Sequence, residues 1–511
     1  MEKKSSPLLS KLKKVWNVSA YALGYGTGGG VMQIQSIYYM NFLMFAMHIP
    51  YWQVALILGL TKFWDAVIDP VIGVFVDKTN TKLGSCRPWI LAAVVPIAVT
   101  YFMMWYSFGI TDEFGKFAYF FFAQILFSTA LSVGTVPYEA ILPRMVEGYD
   151  ERTNFSAFRM IFSGVYAVGA TWLYPMIIKT EDLSLFDTQI DNFMLLGIVF
   201  GIVFAIPMLV TFIGTKEKIH VSDDEKLSVK NVFKSYSEIL KPKLYRKYFA
   251  INMLGTFVSN ALTVSLLLFF LLNYGGNNDT GSTPLGIGSI ALPFALSFLV
   301  VNFKGAFEIA FFVPNVIMMK KFNKQFPLKV DLPILFAGLL IFLFVDSSTP
   351  FWIALAGLAL MGAGSSCLGI VPNTLMPDLV DVDELTFGKR REGKCGGLIT
   401  LGRQIVQGVA FLVFGFILAA FELSEDKTTA ADATPVTLAA VKIMLCVLPI
   451  LSGVVMFLIS RTYNLDAKSH ALIKLRIAEK HENIRTEIPE NERKIFADIT
   501  GMKYEDLWIA K

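Results

Sequence analysis

The sequence predicts an all-α polytopic membrane protein with twelve transmembrane helices arranged as two six-helix halves, and three observations carry that prediction. Of its 511 residues 54% are hydrophobic and only 17% are charged, with 44 Phe. The mean hydropathy of +0.56 lies well above that of a soluble domain. Apolar runs long enough to cross a hydrocarbon layer of ~30 Å recur along the chain. A polar stretch divides these runs into two sets of six.

The first set falls at 19–47, 52–76, 89–110, 117–142, 155–178 and 192–213, giving an N-terminal half over 19–213 behind a short N-terminal segment, 1–18. The second falls at 248–273, 285–318, 331–346, 351–375, 396–421 and 436–460, giving a C-terminal half over 248–460. Between them, 214–247 holds Lys216, Glu217, Lys218, Asp223, Asp224, Glu225 and Lys226. It is too polar for a bilayer and too short for a domain, and reads as a linker. The tail, 461–511, is polar except around Ala471 to Ala478, where Leu472, Ile473, Leu475 and Ile477 suit a helix lying on the membrane surface or on the loops.

Basic residues set the orientation, because short loops rich in Lys and Arg resist translocation. Lys3, Lys4, Lys11, Lys13 and Lys14 share a side with Lys78, Lys82 and Arg87, with Arg144 and Arg152, with Lys320, Lys321 and Lys324, and with Lys389, Arg390, Arg391 and Lys394. The opposite loops are acidic around Glu181, Asp182, Asp187, Glu422, Glu425 and Asp426. Both termini, the linker and the tail are therefore expected on the cytoplasmic side. The net charge of +4 follows from this loop bias and not from nucleic-acid affinity. No cleavable leader opens the chain, so the first span is expected to act as an uncleaved signal-anchor. Cys86, Cys367, Cys395 and Cys446 have neither metal nor disulfide spacing.

Asp65 and Asp69 stand one turn apart in the second span, within Lys62-Phe-Trp-Asp-Ala-Val-Ile-Asp-Pro70. Each carboxylate costs roughly 2.5–3.5 kcal/mol at a membrane-helix centre, so two on one stripe point to a site for a proton, a Na⁺ ion or a basic partner. Lys62, three residues before Asp65, offers the alternative of an internal salt bridge. Lys304 and Glu308 in the eighth span have the spacing of a self-neutralising pair, and Arg403 in the eleventh needs a partner on another helix, Asp65, Asp69 or a solute oxygen. The run Gly24, Gly26, Gly28, Gly29 and Gly30 lacks the strand and the Lys-Ser/Thr of a phosphate loop and suits close helix packing. His48, His220, His470 and His481 lie outside the spans or at their ends. No nucleophile–base constellation appears, which argues against an enzyme.

The fourth and tenth spans end alike, Val136-Pro-Tyr-Glu-Ala-Ile-Leu-Pro143 against Val371-Pro-Asn-Thr-Leu-Met-Pro377, and Lys62 to Pro70 has a counterpart in Lys304 to Pro314. Such six-helix repeats fit a carrier that rocks one half on the other.

Trp64-Asp65-Ala-Val-Ile-Asp69-Pro70-Val-Ile-Gly73, then Asp77-Lys78-Thr-Asn-Thr-Lys82-Leu-Gly84-Ser-Cys-Arg87-Pro88-Trp89, resembles the second helix and following loop of the glycoside-pentoside-hexuronide:cation symporters, the melibiose-carrier branch of the major facilitator superfamily. The likeness continues through Val136-Pro137-Tyr138, Glu151-Arg152-Thr153, Arg159-Met160-Ile161, Pro377-Asp378, Gly388-Lys389-Arg390-Arg391-Glu392-Gly393 and Tyr463-Asn464-Leu465-Asp466.

This resemblance implies the facilitator fold, a monomer in the plasma membrane (the inner membrane of a bacterium), no organic cofactor, and symport of a sugar, glycoside or glycuronide with H⁺ or Na⁺. It implies a cation site of Asp65, Asp69 and Ser132, where Ile68 replaces the family's intervening polar residue. Fewer oxygens disfavour Na⁺ more than a proton. The family's sugar-binding positions fall on Gln33, Thr135 and Arg159, with Tyr25, Glu139, Arg403 and Gln404 beside them. Gly73, Asp77, Lys78, Lys82 and Arg87 resemble the superfamily's conformational latch. Because the sugar aspartates are replaced, a non-sugar organic or lipid-like solute is the alternative cargo. A non-transporting receptor would be expected to carry a long signalling domain, and the sequence shows none.

Overall fold

The computed structural model describes residues 7–40, 42–146, 149–178, 191–217, 229–274, 291–421, 434–482 and 488–510. Their long elements are all helices: α1 Pro7–Ile34, α2 Tyr51–Lys78, α3 Arg87–Trp105, α4 Glu113–Met145, α5 Tyr149–Ile178, α6 Asp191–Gly214, α7 Val229–Ile239, α8 Lys243–Tyr274, α9 Ala291–Lys321, α10 Phe326–Phe344, α11 Phe351–Phe387, α12 Glu392–Ala420, α13 Pro435–Lys442, α14 Leu448–Arg461, α15 Ala467–His481 and α16 Glu490–Thr500. Each predicted span falls on a helix. Among the described residues nine helices are both long and apolar enough to cross a membrane. α1, α2 and α5 are as long but carry more glycine or charge.

Two compact units result, one built on Met1–Val229 and the other on Lys230–Thr280, Leu299–Glu422 and Thr428–Lys511. α6 shows why these helices belong in lipid. One face (Leu196, Phe200, Phe204, Met208) is buried while the other (Ile198, Ile202, Ile206, Ile213) is exposed yet equally apolar. A helix in water would carry polar side chains there.

Helix ends follow local chemistry. The Asp112 side chain caps α4 by accepting from Gly115 N at 2.7 Å, and Asp466 caps α15 through Ser469 N at 2.8 Å. α1 gives way to π-helical turns at Gln35–Tyr39 and Phe42–Ala46, and another at Ile443–Val447 lies just before Pro449. Proline has no N–H for the ladder, and a widened turn absorbs the loss.

The structure extends two expectations. α11 runs on past the tenth predicted span to Phe387 and ends at Gly388, whose φ of +71° suits glycine. Its last turns carry buried Asp378, Asp381, Asp383 and Glu384, and they stay helical because bases surround them. Lys324 Nζ lies 2.6 Å from Asp378, Arg391 Nη2 2.7 Å from Asp383, His470 Nε2 2.9 Å from Asp381 and His481 Nε2 2.8 Å from Glu384. Both histidines belong to α15, so the tail helix lies on the end of α11, with Ile473 and Ile477 buried. The polar stretch between the halves is helical over Val229–Ile239, where Tyr236 and Ile239 are buried; residues 218–228 lie outside the described set.

Small residues let the helices approach closely, as expected where lipid removes the hydrophobic drive between them. A Cβ added at Gly30 would lie 2.8 Å from the Phe204 ring, and one at Gly201 2.8 Å from the Ala98 carbonyl. α10 and α11 come close at Gly364, where an added Cβ would lie 2.6 Å from Leu335 Cα and 2.7 Å from the Asp331 carbonyl oxygen. Backbone atoms cannot step aside. Gly364→Ala is expected to cost about 1–3 kcal/mol, whereas Gly369→Ala, with open space around it, should be neutral or stabilise by up to ~1 kcal/mol. Melting of the two variants in detergent checks this, and equal shifts would contradict the packing described.

Candidate functional site

α2 presents the aspartate pair. Asp65 is buried, at 6% exposure, and Asp69 is half-buried one turn on. Lys62 Nζ donates to Asp65 Oδ2 at 3.1 Å. Asp65 Oδ1 is buried with no hydrogen-bond partner among the described residues. The internal salt bridge thus uses one carboxylate oxygen and leaves the other for a proton or a cation. Pro70 follows Asp69 inside the helix, so the Ala66 carbonyl lacks its usual helical donor and adds an acceptor beside the pair.

Four contacts fix the register of α2 on α4. Gln53 Nε2 donates to Glu113 Oε1 at 2.7 Å and Trp64 Nε1 to Thr129 Oγ1 at 2.9 Å; a Cβ at Gly73 would lie 3.9 Å from Val136; and Arg144 Nη2 lies 2.7 Å from Asp77 Oδ1. The helices therefore run parallel, and Ser132, buried on α4, falls at a level between those of Asp65 and Asp69. Ile68 is half-buried and supplies no oxygen.

A second cluster joins α1, α4 and α5. The Arg159 guanidinium carbon lies 4.5 Å from the centroid of the Tyr25 ring and its Nη1 3.8 Å from Glu139 Oε1. Glu139 is exposed and Arg159 half-buried. Tyr25 stacks near Tyr138 at 6.2 Å, and Tyr138 stacks on Tyr21 at 4.9 Å. The Tyr138 hydroxyl donates to the Tyr21 carbonyl at 2.8 Å, which ties α4 to α1. Arg159 and Tyr25 together make a cationic, flat-faced wall able to bind hydroxyl or anionic oxygens. Thr135 turns its hydroxyl back to the Leu131 carbonyl at 2.9 Å. The Gln33 side chain lies outside the described set. In the other unit, Arg403 Nε donates to Asn252 Oδ1 at 2.9 Å, a partner absent from the three expected for it, and Gln404 follows it on α12, half-buried.

The loop between α2 and α3 is held inside its own unit. Asp77 pairs with Arg144 of α4 rather than with the loop bases Lys78, Lys82 or Arg87. Lys78 and Lys82 are exposed, and Arg87 donates to the Phe212 carbonyl at 2.9 Å while lying over the Phe212 ring. Glu217 occupies the N-terminus of α3: its carboxylate accepts from Ser85 N at 3.0 Å, Cys86 N at 2.8 Å and Arg87 N at 3.0 Å, and from the Ser85 hydroxyl at 3.1 Å. Orphan amides and the helix dipole favour an anion there. Arg144 also donates to the Ser85 hydroxyl. Sequence reasoning missed Arg144 and Glu217, the first as a plain loop base and the second as a linker charge. Gly84, at a φ of +102°, turns the chain into that cradle, but nothing in the sequence names the groups that fill it.

The second unit repeats part of this chemistry. Lys304 Nζ and Glu308 Oε2 are 2.8 Å apart on α9, and the Ser365 hydroxyl of α11 donates to the same carboxylate at 3.5 Å. Where α9, α10 and α11 meet, Asn315, Asp331 and Ser366 are fully buried together.

Residues 20–467 match the family model described as MFS/sugar transport protein. The uncharacterized symporter YjmB of Bacillus subtilis is 22% identical over 477 residues, covering 90% of this chain and 95% of that one. The protein designated glycoside/cation symporter YagG of Escherichia coli is 23% identical over 431 residues, covering 82% and 86%. The sodium-dependent lysophosphatidylcholine symporter 1-B of Danio rerio is 23% identical over 361 residues, covering 64% of each. Among solved structures, a point mutant of the nucleoside transporter NupG superposes with a TM-score of 0.62 at 12% identity, covering 88% of this chain and 99% of that one.

Burial, more than the neighbouring Arg144 can offset, pushes the Cys86 thiol up to about 11. In a chain keeping Cys86 as its single cysteine, alkylation by N-ethylmaleimide at pH 7.5 should run at least ~100-fold slower than for a free thiol, because the thiolate is the nucleophile. The rate should climb as pH rises toward 11, and Glu217→Ala should accelerate it by loosening the cradle. Prompt labelling of the unaltered loop would show the cradle to be open in solution.

Proposed function

We propose that this chain, which belongs to the MFS/sugar transport protein family, is an importer that couples entry of a sugar or glycoside to entry of a proton. Its class is plain: a multi-pass membrane carrier driven by a cation, and not an enzyme. The observation carrying the finer reading is the buried Asp65 carboxylate, held by Lys62 on one oxygen and open on the other, with Ser132 at its level.

Protonation there removes a negative charge from α2 and lowers the cost of moving that helix through an apolar surround. Lys62 favours the anion, so the site also gives the proton up again. A proton needs one carboxylate, whereas Na⁺ needs several oxygens in place of its water shell, and Ile68 provides none. The solute is held at the Tyr25–Arg159–Glu139 cluster: the ring offers a flat face for a sugar, Arg159 meets a hydroxyl or uronate oxygen, and Glu139 accepts from adjacent hydroxyls. The basic chain ends and loops face the cytoplasm of a plasma membrane, and one chain suffices for the cycle.

One observation favours a second cargo. The likeness to the lysophosphatidylcholine symporter spans 361 residues, and the aromatic and cationic wall at Tyr25 and Arg159 also suits a phosphate headgroup.

Vesicles carrying the purified protein decide both cargo and ion. Labelled glycosides, glycuronides and lysophospholipids are offered with an inward proton gradient, an inward Na⁺ gradient or neither. Accumulation of a glycoside on the proton gradient alone is expected. Asp65→Asn or Asp69→Asn should lower gradient-driven accumulation by about tenfold or more while solute exchange without a gradient persists. Coupled uptake that survives unchanged in both variants would remove the ion site from α2.

A further inference from the structure

Asp331 of α10 is the carboxylate that the transport reading leaves unused. It is fully buried, as are Asn315 of α9 and Ser366 of α11. Asn315 Nδ2 donates to Asp331 Oδ2 at 2.7 Å and to the Ser366 hydroxyl oxygen at 2.7 Å, and the Ser366 hydroxyl shares its one hydrogen between the same Asp331 Oδ2 at 2.9 Å and the Ala363 carbonyl of its own helix at 2.8 Å. Both side-chain donors thus converge on one carboxylate oxygen. The other, Oδ1, is buried with no partner, and so is Asn315 Oδ1. Among the described residues Asp331 makes no ion pair, unlike Asp65 and Glu308, which each hold a lysine.

An ionised carboxylate buried without a base is costly, and two orphaned acceptors within one hydrogen-bonded pair add to that cost. A single proton on Oδ1 resolves all three problems. It removes the charge and turns Oδ1 into a donor, for which the Asn315 amide oxygen, itself without a donor, is a candidate acceptor. The pattern of donors fits: the oxygen that receives both is the carbonyl of a neutral acid, and the one that receives none carries the hydrogen.

We propose that Asp331, Asn315 and Ser366 form a second proton-binding site, contained within the second unit and separate from the aspartate pair of α2. Binding forms one O–H bond at Asp331 Oδ1 with a proton taken from water, and release returns it. The other titratable or charged groups around it are few. On α9, Glu308 is paired with Lys304, and Asn315 is neutral. On α11 the thiol of Cys367, fully buried, follows Ser366, and the Cys367 backbone amide is a further hydrogen-bond donor to the carboxylate. On α10 itself Lys329 is half-buried. From α13, Lys442 donates to the Leu343 carbonyl at the far end of α10. α14 brings only Arg461, in its last turn. The close approach at Gly364, whose added Cβ would meet the Asp331 carbonyl itself at 2.7 Å, seals the acid from water. Proton exchange there requires α10 and α11 to part, which ties the proton to the conformation of this unit.

The site can be tested without knowing the solute. Infrared spectra of the purified carrier at neutral pH should contain a C=O stretching band of a protonated carboxylic acid. Asp331→Asn should delete it, and Asp65→Asn and Asp69→Asn should leave it. Ser366→Ala removes a donor that stabilises the anion, so the band should persist to a pH higher by about one unit or more than in the unaltered chain. A spectrum unchanged by Asp331→Asn would mean an ionised Asp331 and would overturn the proposal. If that variant fails to elute as a folded protein, the Ser366→Ala titration decides, and an unmoved titration would overturn it equally.

Discussion

A charge placed at membrane depth must be answered close at hand, and the arrangement of this chain follows from how each is answered. Water is not there to do it, and the bundle offers little besides side chains on neighbouring turns and helices. Lys62 with Asp65, Arg159 with Glu139 and Tyr25, Lys304 with Glu308 and Ser365, and Arg403 with Asn252 each find their partner inside their own unit. Among the described residues these four groups are answered without a partner from the other unit. That property suits a carrier whose two units change their relation during each cycle, since these charges are not stranded when they do.

The same constraint explains the ends of the helices. The α2–α3 loop closes on Arg144 and Glu217, so its acid and its amides are answered by α4 and by the chain leaving α6. In the second unit the long acidic end of α11 is answered by Lys324, Arg390, Arg391 and the two histidines of α15. The tail helix therefore contributes hydrogen-bond partners and the Lys474 ammonium, 3.9 Å from Asp381, to the unit as well as covering it. Trp508, beyond α16, closes over Gly388, where any side chain would collide with its ring.

Much of this was legible in the sequence because lipid imposes a simple rule: a run of about twenty apolar residues becomes a helix. The spans, the exposed apolar faces and the close packing at Gly24, Gly26 and Gly30 follow from it, whereas Gly28 has open space around it. The partners did not follow, since they depend on which helices touch. Arg403 has no local signal pointing to Asn252, and Glu217 sits among linker charges from which nothing in the spelling sets it apart. α11 overran its predicted end because four acids looked like a loop; their bases arrive from far along the chain, such as His470 beside Asp381. Asp331 was overlooked for a related reason. Lying near the start of its span, between Pro327 and Pro333, it reads as a boundary charge, and only the three-dimensional contact with Asn315 and Ser366 reveals it as interior.

Asp65 and Asp331 are two solutions to burying one carboxylate, and the difference decides what each can do. A lysine 3.1 Å from Asp65 stabilises the anion, so that on the proposed reading the group alternates between proton-bound and proton-free forms while its helix stays packed. Asp331 has two neutral side-chain donors on one oxygen and, among the described residues, no base, so its anion is supported only by dipoles, and the proposed packed state is the acid. The first arrangement makes a group that exchanges readily and can follow a gradient; the second makes one that exchanges only when its helices separate. On the proposed reading the carrier holds one acid in the first unit that senses the ion supply and another in the second that senses the shape of that unit.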